Sequence, residues 1–284
     1  MPERVWGFES PLAQVFPSDE AAGPRKGAGA SLDGMPAAVY TPKMILLLAL
    51  LLSSPAVSAV VADPPLVSAV KEGDPVRLKA LIAQGAELGA KDQYGWTAAM
   101  WAAGHADAGT LKALLDAGAD LKPADAPGFS AMIEAAKGGK SDVVALLASR
   151  GFACGAKDAL GVPALSYAAA HVSTGTLRAL LACKADVNAK DGNGFTPLTR
   201  AVQLGQNNAV KFLLSRGAAV DARDAQGRTA LMWAAQDGRV QTATLLLGAK
   251  ADAGLKGVDG RTASDIAAAR GYGAVVAILP AAAP

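Results

Sequence analysis

Residues 184–198 read KADVNAKDGNGFTPL, and this stretch carries the pattern that decides the fold. Its last glycine belongs to a series of six glycines that recur every 33 residues. The series is Gly95, Gly128, Gly161, Gly194, Gly227 and Gly260. After each glycine come a short apolar segment with a pair of small residues and then a second apolar run. Such a period indicates an array of small units that bury their apolar faces only by stacking on each other.

Within each unit the pattern is typical of two short helices. A residue such as Thr196 is a natural N-cap for the first helix, and Leu213 faces inward from the second. A glycine such as Gly217 then fits a left-handed C-cap. Lys184 and Lys250 stand where other units have this glycine, so we expect both lysines in a backbone conformation that costs about 1 kcal/mol.

The period, the TPL of residues 196–198 and the ADVNAKD of residues 185–191 resemble the ankyrin-repeat family. The resemblance covers about residues 63–284. It implies an all-α fold, an ankyrin-repeat solenoid of helix-turn-helix units joined by β-hairpin-like loops. We expect an N-terminal capping repeat over 63–94, five full repeats over 95–259 and a C-terminal capping repeat over 260–284.

The first 62 residues do not follow the period. Residues 1–34 have no apolar pattern, and we interpret them as a disordered extension or an over-long gene model. Residues 35–62 read as a signal peptide whose apolar core, 44–52, follows a lysine and is too short to span a bilayer. Cleavage is expected after Ala59 or Ala62. A membrane anchor over the same stretch is the rival interpretation.

Composition argues against several functional classes. A formal net charge of +2 gives no support to a nucleic-acid binder, which would show a clustered basic face. His105 and His171 are the two histidines, and they lie two repeats apart, about 20 Å for stacked helices, so they cannot share a metal ion. No nucleophile, phosphate-loop or zinc-helix motif occurs. We therefore expect no catalytic residue, no metal site and no cofactor, and the chain is not expected to be an enzyme.

Three recurring or paired residue sets have structural interpretations. Cys154 and Cys183 lie in adjacent repeats, where either a disulfide or two free thiols are consistent with the spacing. Aspartates one repeat apart are expected to brace the turns, namely Asp92, Asp125, Asp158, Asp191 and Asp224. Large rings recur six residues after their glycines and are expected to pack in the core or groove, with ligand stacking as the alternative: Trp101, Tyr167 and Trp233.

The resemblance implies protein recognition through the loop tips and the first-helix face. The residues expected there are Tyr94, Trp96, His105, Phe129, Lys137, Val162, His171, Phe195, Gln203, Arg228, Gln236 and Arg261. Exposed aromatic side chains at the tips are typical of partner anchors. The alternative is that the aromatic tips fold back over neighbouring loops as local packing.

The leading hypothesis is a monomeric, non-catalytic interaction protein, exported to the periplasm or secreted. It would bind one protein partner of unknown identity and stabilise, inhibit or scaffold it, with no nucleic-acid partner and no stable membrane insertion after signal cleavage. A secreted effector or toxin-neutralising factor is the alternative. A small-ligand binder or enzyme is a third interpretation.

Overall fold

The computed structural model describes residues 62–121, 130–171 and 174–279. The predicted N-terminal extension and, apart from Ala62, the predicted signal peptide lie outside these residues. Fourteen α-helices fall within the described part of the chain. They are α1 Pro65–Lys71, α2 Pro75–Ala83, α3 Ala98–His105, α4 Ala108–Asp116, α5 Ala131–Lys137, α6 Ser141–Ser149, α7 Ala164–Ala168, α8 Gly175–Ala182, α9 Pro197–Gln203, α10 Asn207–Ser215, α11 Ala230–Gln236, α12 Val240–Gly248, α13 Ala263–Ala269 and α14 Gly273–Val276.

The helices form two stacked rows. The odd-numbered or first helices pack each on the next, from α1 through to α13, and each packs on the even-numbered second helix that follows it. The second helices stack α2 on α4, α4 on α6, α6 on α8, α10 on α12 and α12 on α14. Outside the helices, the described residues contain one isolated β-bridge, between Lys157 and Pro163. The predicted all-α ankyrin-type solenoid is confirmed.

Threonine side chains start four of the first helices, as the pattern predicts. In α3, α9, α11 and α13 the preceding threonine hydroxyl accepts the third backbone N–H of the helix. In α13 the side chain of Asp265 also accepts the N–H of Thr262, which completes a capping box. Ser130 and Pro163 stand at the same place before α5 and α7 without a side-chain cap, and α7 is only five residues long.

The core lies between the two rows of helices. Small residues line the first helices, and pairs such as Ala102 and Ala103 are fully buried, which lets the helices approach closely. The predicted inward leucines of the second helices are also fully buried: Leu114, Leu147, Leu180, Leu213 and Leu246. Burial of these leucines in a row makes each unit depend on its neighbours for stability.

The ends of the second helices confirm the predicted left-handed caps. Gly118 and Gly217 have φ values of 95° and 85°. Lys184 and Lys250 hold the same conformation with φ values of 67° and 65°. They are the non-glycine residues with positive φ in the described chain, so strain is confined to these two positions.

The two cysteines are joined. Cys154, in the segment after α6, and Cys183, directly after α8, form a disulfide with their Cα atoms 6.0 Å apart. Of the two alternatives left open by the spacing, the structure therefore has the disulfide, and it ties two neighbouring repeats together.

None of the helices in the described ranges has the length and apolar character needed to cross a lipid bilayer.

Candidate interaction surface

Four of the described loops between repeats are built around an aspartate that is buried or half-buried. Asp224 is 7% exposed, and its Oδ1 accepts the backbone N–H groups of Gln226 (2.9 Å) and Arg228 (2.8 Å). Its Oδ2 accepts from Trp233 Nε1 (3.0 Å) and Arg228 Nε (3.2 Å). One carboxylate therefore closes the turn and also fixes the first helix that follows it.

The same arrangement returns one repeat apart. Asp92, Asp158 and Asp191 each accept the backbone N–H groups two and four residues ahead, at 2.9–3.0 Å. The prediction that these aspartates brace the turns is confirmed. Asp125, the remaining member of the series, lies outside the described residues.

The second oxygen of each aspartate binds a side chain nine residues ahead. The donors are Trp101 Nε1 (2.8 Å), Tyr167 Oη (2.6 Å), Arg200 Nη2 (3.1 Å) and Trp233 Nε1 (3.0 Å). Three chemically different donors thus occupy one position of the repeat. The three rings predicted to pack at this position do so, and their polar atoms donate to the aspartate. Arg200 occupies the same position, and the sequence pattern of recurring rings did not identify it.

The surroundings of these aspartates and their donors shift the pKa values of Asp92 and Tyr167 in the directions that favour the hydrogen bonds. Burial raises the pKa of Asp92, but the backbone N–H of Trp96, the Lys71 ammonium and the Trp101 indole lower it, and the net pKa lies below the ordinary value. Burial and the hydrogen bond to Asp158 raise the pKa of Tyr167 far above its ordinary range. Near neutral pH, Asp92 is therefore an acceptor and the Tyr167 hydroxyl is a donor.

Neighbouring loops are also bonded to each other. Lys157 Nζ donates to the carbonyl of Lys190, Lys190 Nζ to that of Arg223, and Arg223 Nη1 to that of Lys256, at 2.8–3.0 Å. Backbone N–H groups make a parallel series, Gly192 to Leu160, Ala225 to Asn193 and Val258 to Gln226, at 2.9–3.1 Å. The loop tips from Leu160 to Asp259 are therefore held in a fixed row.

Two residues predicted at the exposed tips are in fact buried. Val162 is 5% exposed and Phe195 is 6% exposed, and the Phe195 ring lies edge-on to Trp233 of the next repeat, with 5.6 Å between ring centroids. The expectation that they are exposed is wrong, because the aspartate binds the N–H of the residue after the glycine and that residue's side chain turns inward. Phe129 lies outside the described residues.

Trp96 is half-buried and packs locally. Its ring centroid lies 5.2 Å from that of Trp101 and 6.5 Å from that of His105. His105 is exposed, but its ring also lies 5.0 Å from Trp101, and partial burial lowers the pKa of the imidazole. For Trp96 the local-packing alternative describes the geometry better than a free anchor does.

The residue before each glycine is the true tip. At this position Tyr94 is 44% exposed and Leu160 is 63% exposed. Asn193, Gln226 and Asp259 are exposed at the same place in later repeats. Tyr94 belongs to the predicted set, whereas Asn193, Gln226 and Asp259 do not. The signal that finds Asn193 and Gln226 is their position two residues after the loop aspartate, whereas Asp259 follows Gly257 at the same distance.

The two arginines of the predicted set differ in how far their side chains are buried. Arg228 is half-buried, with its guanidinium 3.8 Å from the centroid of the Trp233 ring and bonded to Asp224. Arg261 is exposed and pairs with Asp259 at 2.7 Å. Arg228 is therefore part of the loop structure, and Arg261 is on the surface at the C-terminal end.

The predicted residues on the first-helix face form contacts along the row. Lys137 pairs with Glu134 at 2.8 Å, lies 5.1 Å from the Tyr167 ring centroid, and its carbonyl accepts from His171 Nε2 at 2.6 Å. Gln203 and Gln236 each accept a weak hydrogen bond, both 3.4 Å long, from the arginines at 200 and 228. Lys71, which was not predicted, lies over the Trp101 ring at 4.3 Å.

No three groups of the metal-ligating types lie together within the described ranges.

Comparison with known families agrees with this architecture. A model of ankyrin repeats in three copies matches residues 66–158 and 151–224, and a model of a single ankyrin repeat matches residues 226–256. Together these matches span more than half of the chain. No curated protein matches it.

Proposed function

The chain belongs to the ankyrin-repeat family, and from this premise we propose that it is an exported, non-catalytic protein that binds one protein partner. Ankyrin repeats are generally interaction modules. The binding surface would be the row of loop tips together with the adjoining face of the first helices. Its effect on the partner would be to stabilise, inhibit or scaffold it.

One observation carries this proposal. From Leu160 to Asp259, exposed side chains that differ from repeat to repeat stand on loops that are alike and hydrogen-bonded to each other. A fixed surface loses little conformational entropy when it binds, so more of the contact energy appears as affinity. Variable side chains on an invariant support are what specific recognition of one partner requires.

The chemical character of the exposed tip residues changes along the row. Tyr94 and Leu160, at the N-terminal end, are large and exposed, whereas the C-terminal end carries Asp259 and Arg261. Exposed tyrosine and leucine side chains are suited to anchor an apolar patch on a partner. The N-terminal tips are therefore the proposed anchors, and the charged C-terminal tips would set orientation.

Export rests on two features. Residues 35–62 have the lysine, apolar core and small residues of a signal peptide. The disulfide between Cys154 and Cys183 is of a kind that persists in oxidising compartments and is rare in the cytosol. N-terminal sequencing of the protein from fractionated cells tests this: a mature chain that begins after Ala59 or Ala62 is expected. A cytosolic protein that begins before Met44 would contradict it.

Partner binding is tested in the native host. Crosslinking of the exported fraction, followed by affinity purification and mass spectrometry, should recover one dominant partner with the wild-type protein. The double variant Tyr94→Ala, Leu160→Asp should lose it, while the matched double variant Val76→Ala, Val240→Asp, at exposed sites on second helices, should retain it. Equal recovery by both variants would place the interface elsewhere.

A further inference from the structure

The second helices carry an exposed face of one charge sign. Their segments, 75–84, 108–118, 141–151, 174–184, 207–217 and 240–250, hold nine exposed cations and two carboxylates, Asp116 and Asp142. The cations are Arg77, Lys79, Lys112, Arg150, Arg178, Lys184, Lys211, Arg216 and Lys250. We call the surface formed by these nine residues the second-helix face.

Helix geometry puts these cations on the outer side. Lys112, Arg178 and Lys211 each stand two residues before a fully buried leucine, which is about 200° around the helix from it. Lys79 and Lys112 stand at equivalent positions of neighbouring second helices, as do Arg178 and Lys211, so the cations of each pair lie about 10 Å apart. Arg178 of α8 lies 5.8 Å from the Phe212 ring of α10, which links the row across that step.

The small net charge of the chain conceals this segregation. The nine cations of the second-helix face and the two carboxylates of the same segments sum to +7, and the whole chain has +2, so all other residues sum to −5. A mild net charge is therefore compatible with a basic face on one side of the protein. Long-range attraction depends on how charge is distributed over the surface as well as on its total.

Most of these cations are not neutralised within the protein. Arg77 pairs with Glu72, and Lys112 and Arg150 share Asp116. Among the described residues, the other six make no ion pair: Lys79, Arg178, Lys184, Lys211, Arg216 and Lys250. The carboxylates that follow Lys184 and Lys250 in sequence, Asp186 and Asp252, bind backbone N–H groups of the loop instead.

Two of the lysines occupy strained positions. Lys184 and Lys250 have positive φ at the helix end where other repeats have glycine, the residue that tolerates this conformation best. Their side chains are exposed and make no hydrogen bond within the described structure that would offset the strain. What each lysine adds, compared with glycine, is a charge on the second-helix face.

We propose that the second-helix face binds the anionic surface of a lipid bilayer. Its cations are dispersed, and the one aromatic side chain of these segments, Phe212, is half-buried beside Arg178 and Arg216. A protein partner needs packed central anchors, which this face does not present. Anionic lipids are mobile and gather beneath scattered lysines and arginines, each of which strengthens binding. The loop tips remain free for a protein partner.

The test is binding of the full chain to vesicles. The apolar segment 44–52 can associate with any bilayer, so the informative quantity is the ratio between vesicles with phosphatidylglycerol and vesicles of phosphatidylcholine alone. We expect at least roughly tenfold tighter binding to the anionic vesicles at about 50 mM salt, and loss of that preference near 500 mM. Equal binding to both vesicles at low salt would overturn the proposal.

Lys184→Gly with Lys250→Gly separates binding from folding. The double variant should bind anionic vesicles about 25-fold more weakly, at about fivefold per lysine, and its melting temperature should rise because the strain is relieved. The matched control, Lys256→Gln with Arg270→Gln, removes two exposed cations outside the second-helix face and should change vesicle binding less than twofold. Equal losses in the two variants, or tighter binding to duplex DNA than to anionic vesicles at the same salt, would contradict the proposal.

Discussion

At the scale of single residues, each loop aspartate is expected to contribute strongly to the stability of the fold. In Asp224→Ala two backbone N–H groups and the Trp233 indole lose their acceptor, so we expect the free energy of unfolding to fall by roughly 2–3 kcal/mol. Asp252→Ala is the control, because the exposed Asp252 carboxylate accepts one backbone N–H, from Gly254, and a change within about 0.5 kcal/mol is expected. Denaturant titration measures both, and equal losses would contradict this role.

The lowered pKa of Asp92 predicts how stability depends on pH. The pKa of Asp92 in the folded state lies below the unfolded value of 3.8. The ionised carboxylate therefore contributes its full stabilisation above pH 3.8, and this stabilisation is lost as the pH falls below that value. Asp92→Asn should therefore melt at a lower temperature than wild type at pH 7, and this difference should shrink as the pH falls from 4 to 3. Thermal melts at these pH values check it. A difference that stays constant would show that ionisation of Asp92 does not matter.

At the scale of loops and helices, the residue after the repeat glycine is a packing residue and the residue before it is a contact residue. Phe195→Ala should lower the free energy of unfolding by about 3–5 kcal/mol, because it removes a buried ring that packs on Trp233. Tyr94→Ala, at an exposed tip, should change it by less than about 1 kcal/mol. Chemical denaturation compares the two variants. The reverse order would mean that the two positions have been assigned the wrong way round.

Much of this element-scale order is readable from sequence, because it depends on spacing. The 33-residue period predicts the helix pairs, the threonine caps and the buried leucines, and all are present. Spacing alone does not show which of the two residues beside the repeat glycine is exposed. That depends on how the hydrogen bonds of the loop aspartate orient the backbone. The row of cations on the second helices was likewise hidden, because the net charge averages over the whole surface.

At the scale of the whole molecule, the disulfide stabilises the least regular part of the array. The bond closes a segment of 29 residues that contains the short, uncapped helix α7 and the buried, unpartnered hydroxyl of Ser166. Loop-closure entropy for this length predicts about 3–4 kcal/mol of stabilisation. Reduction should lower the melting temperature of the wild type. The double variant Cys154→Ala, Cys183→Ala should melt near the reduced wild type and should not respond to reductant; no effect of reductant on the wild type would contradict this.

The central claim is that a protein partner contacts the row of loop tips, and photocrosslinking from defined positions tests it most directly. A photoreactive amino acid is placed at Tyr94 or Leu160 on the tips and, for comparison, at Lys112 on the second-helix face. In native-host extract, a discrete protein adduct of the same mass is predicted from both tip positions and not from Lys112. A protein adduct from Lys112 alone, or from none of the three positions, would contradict the account.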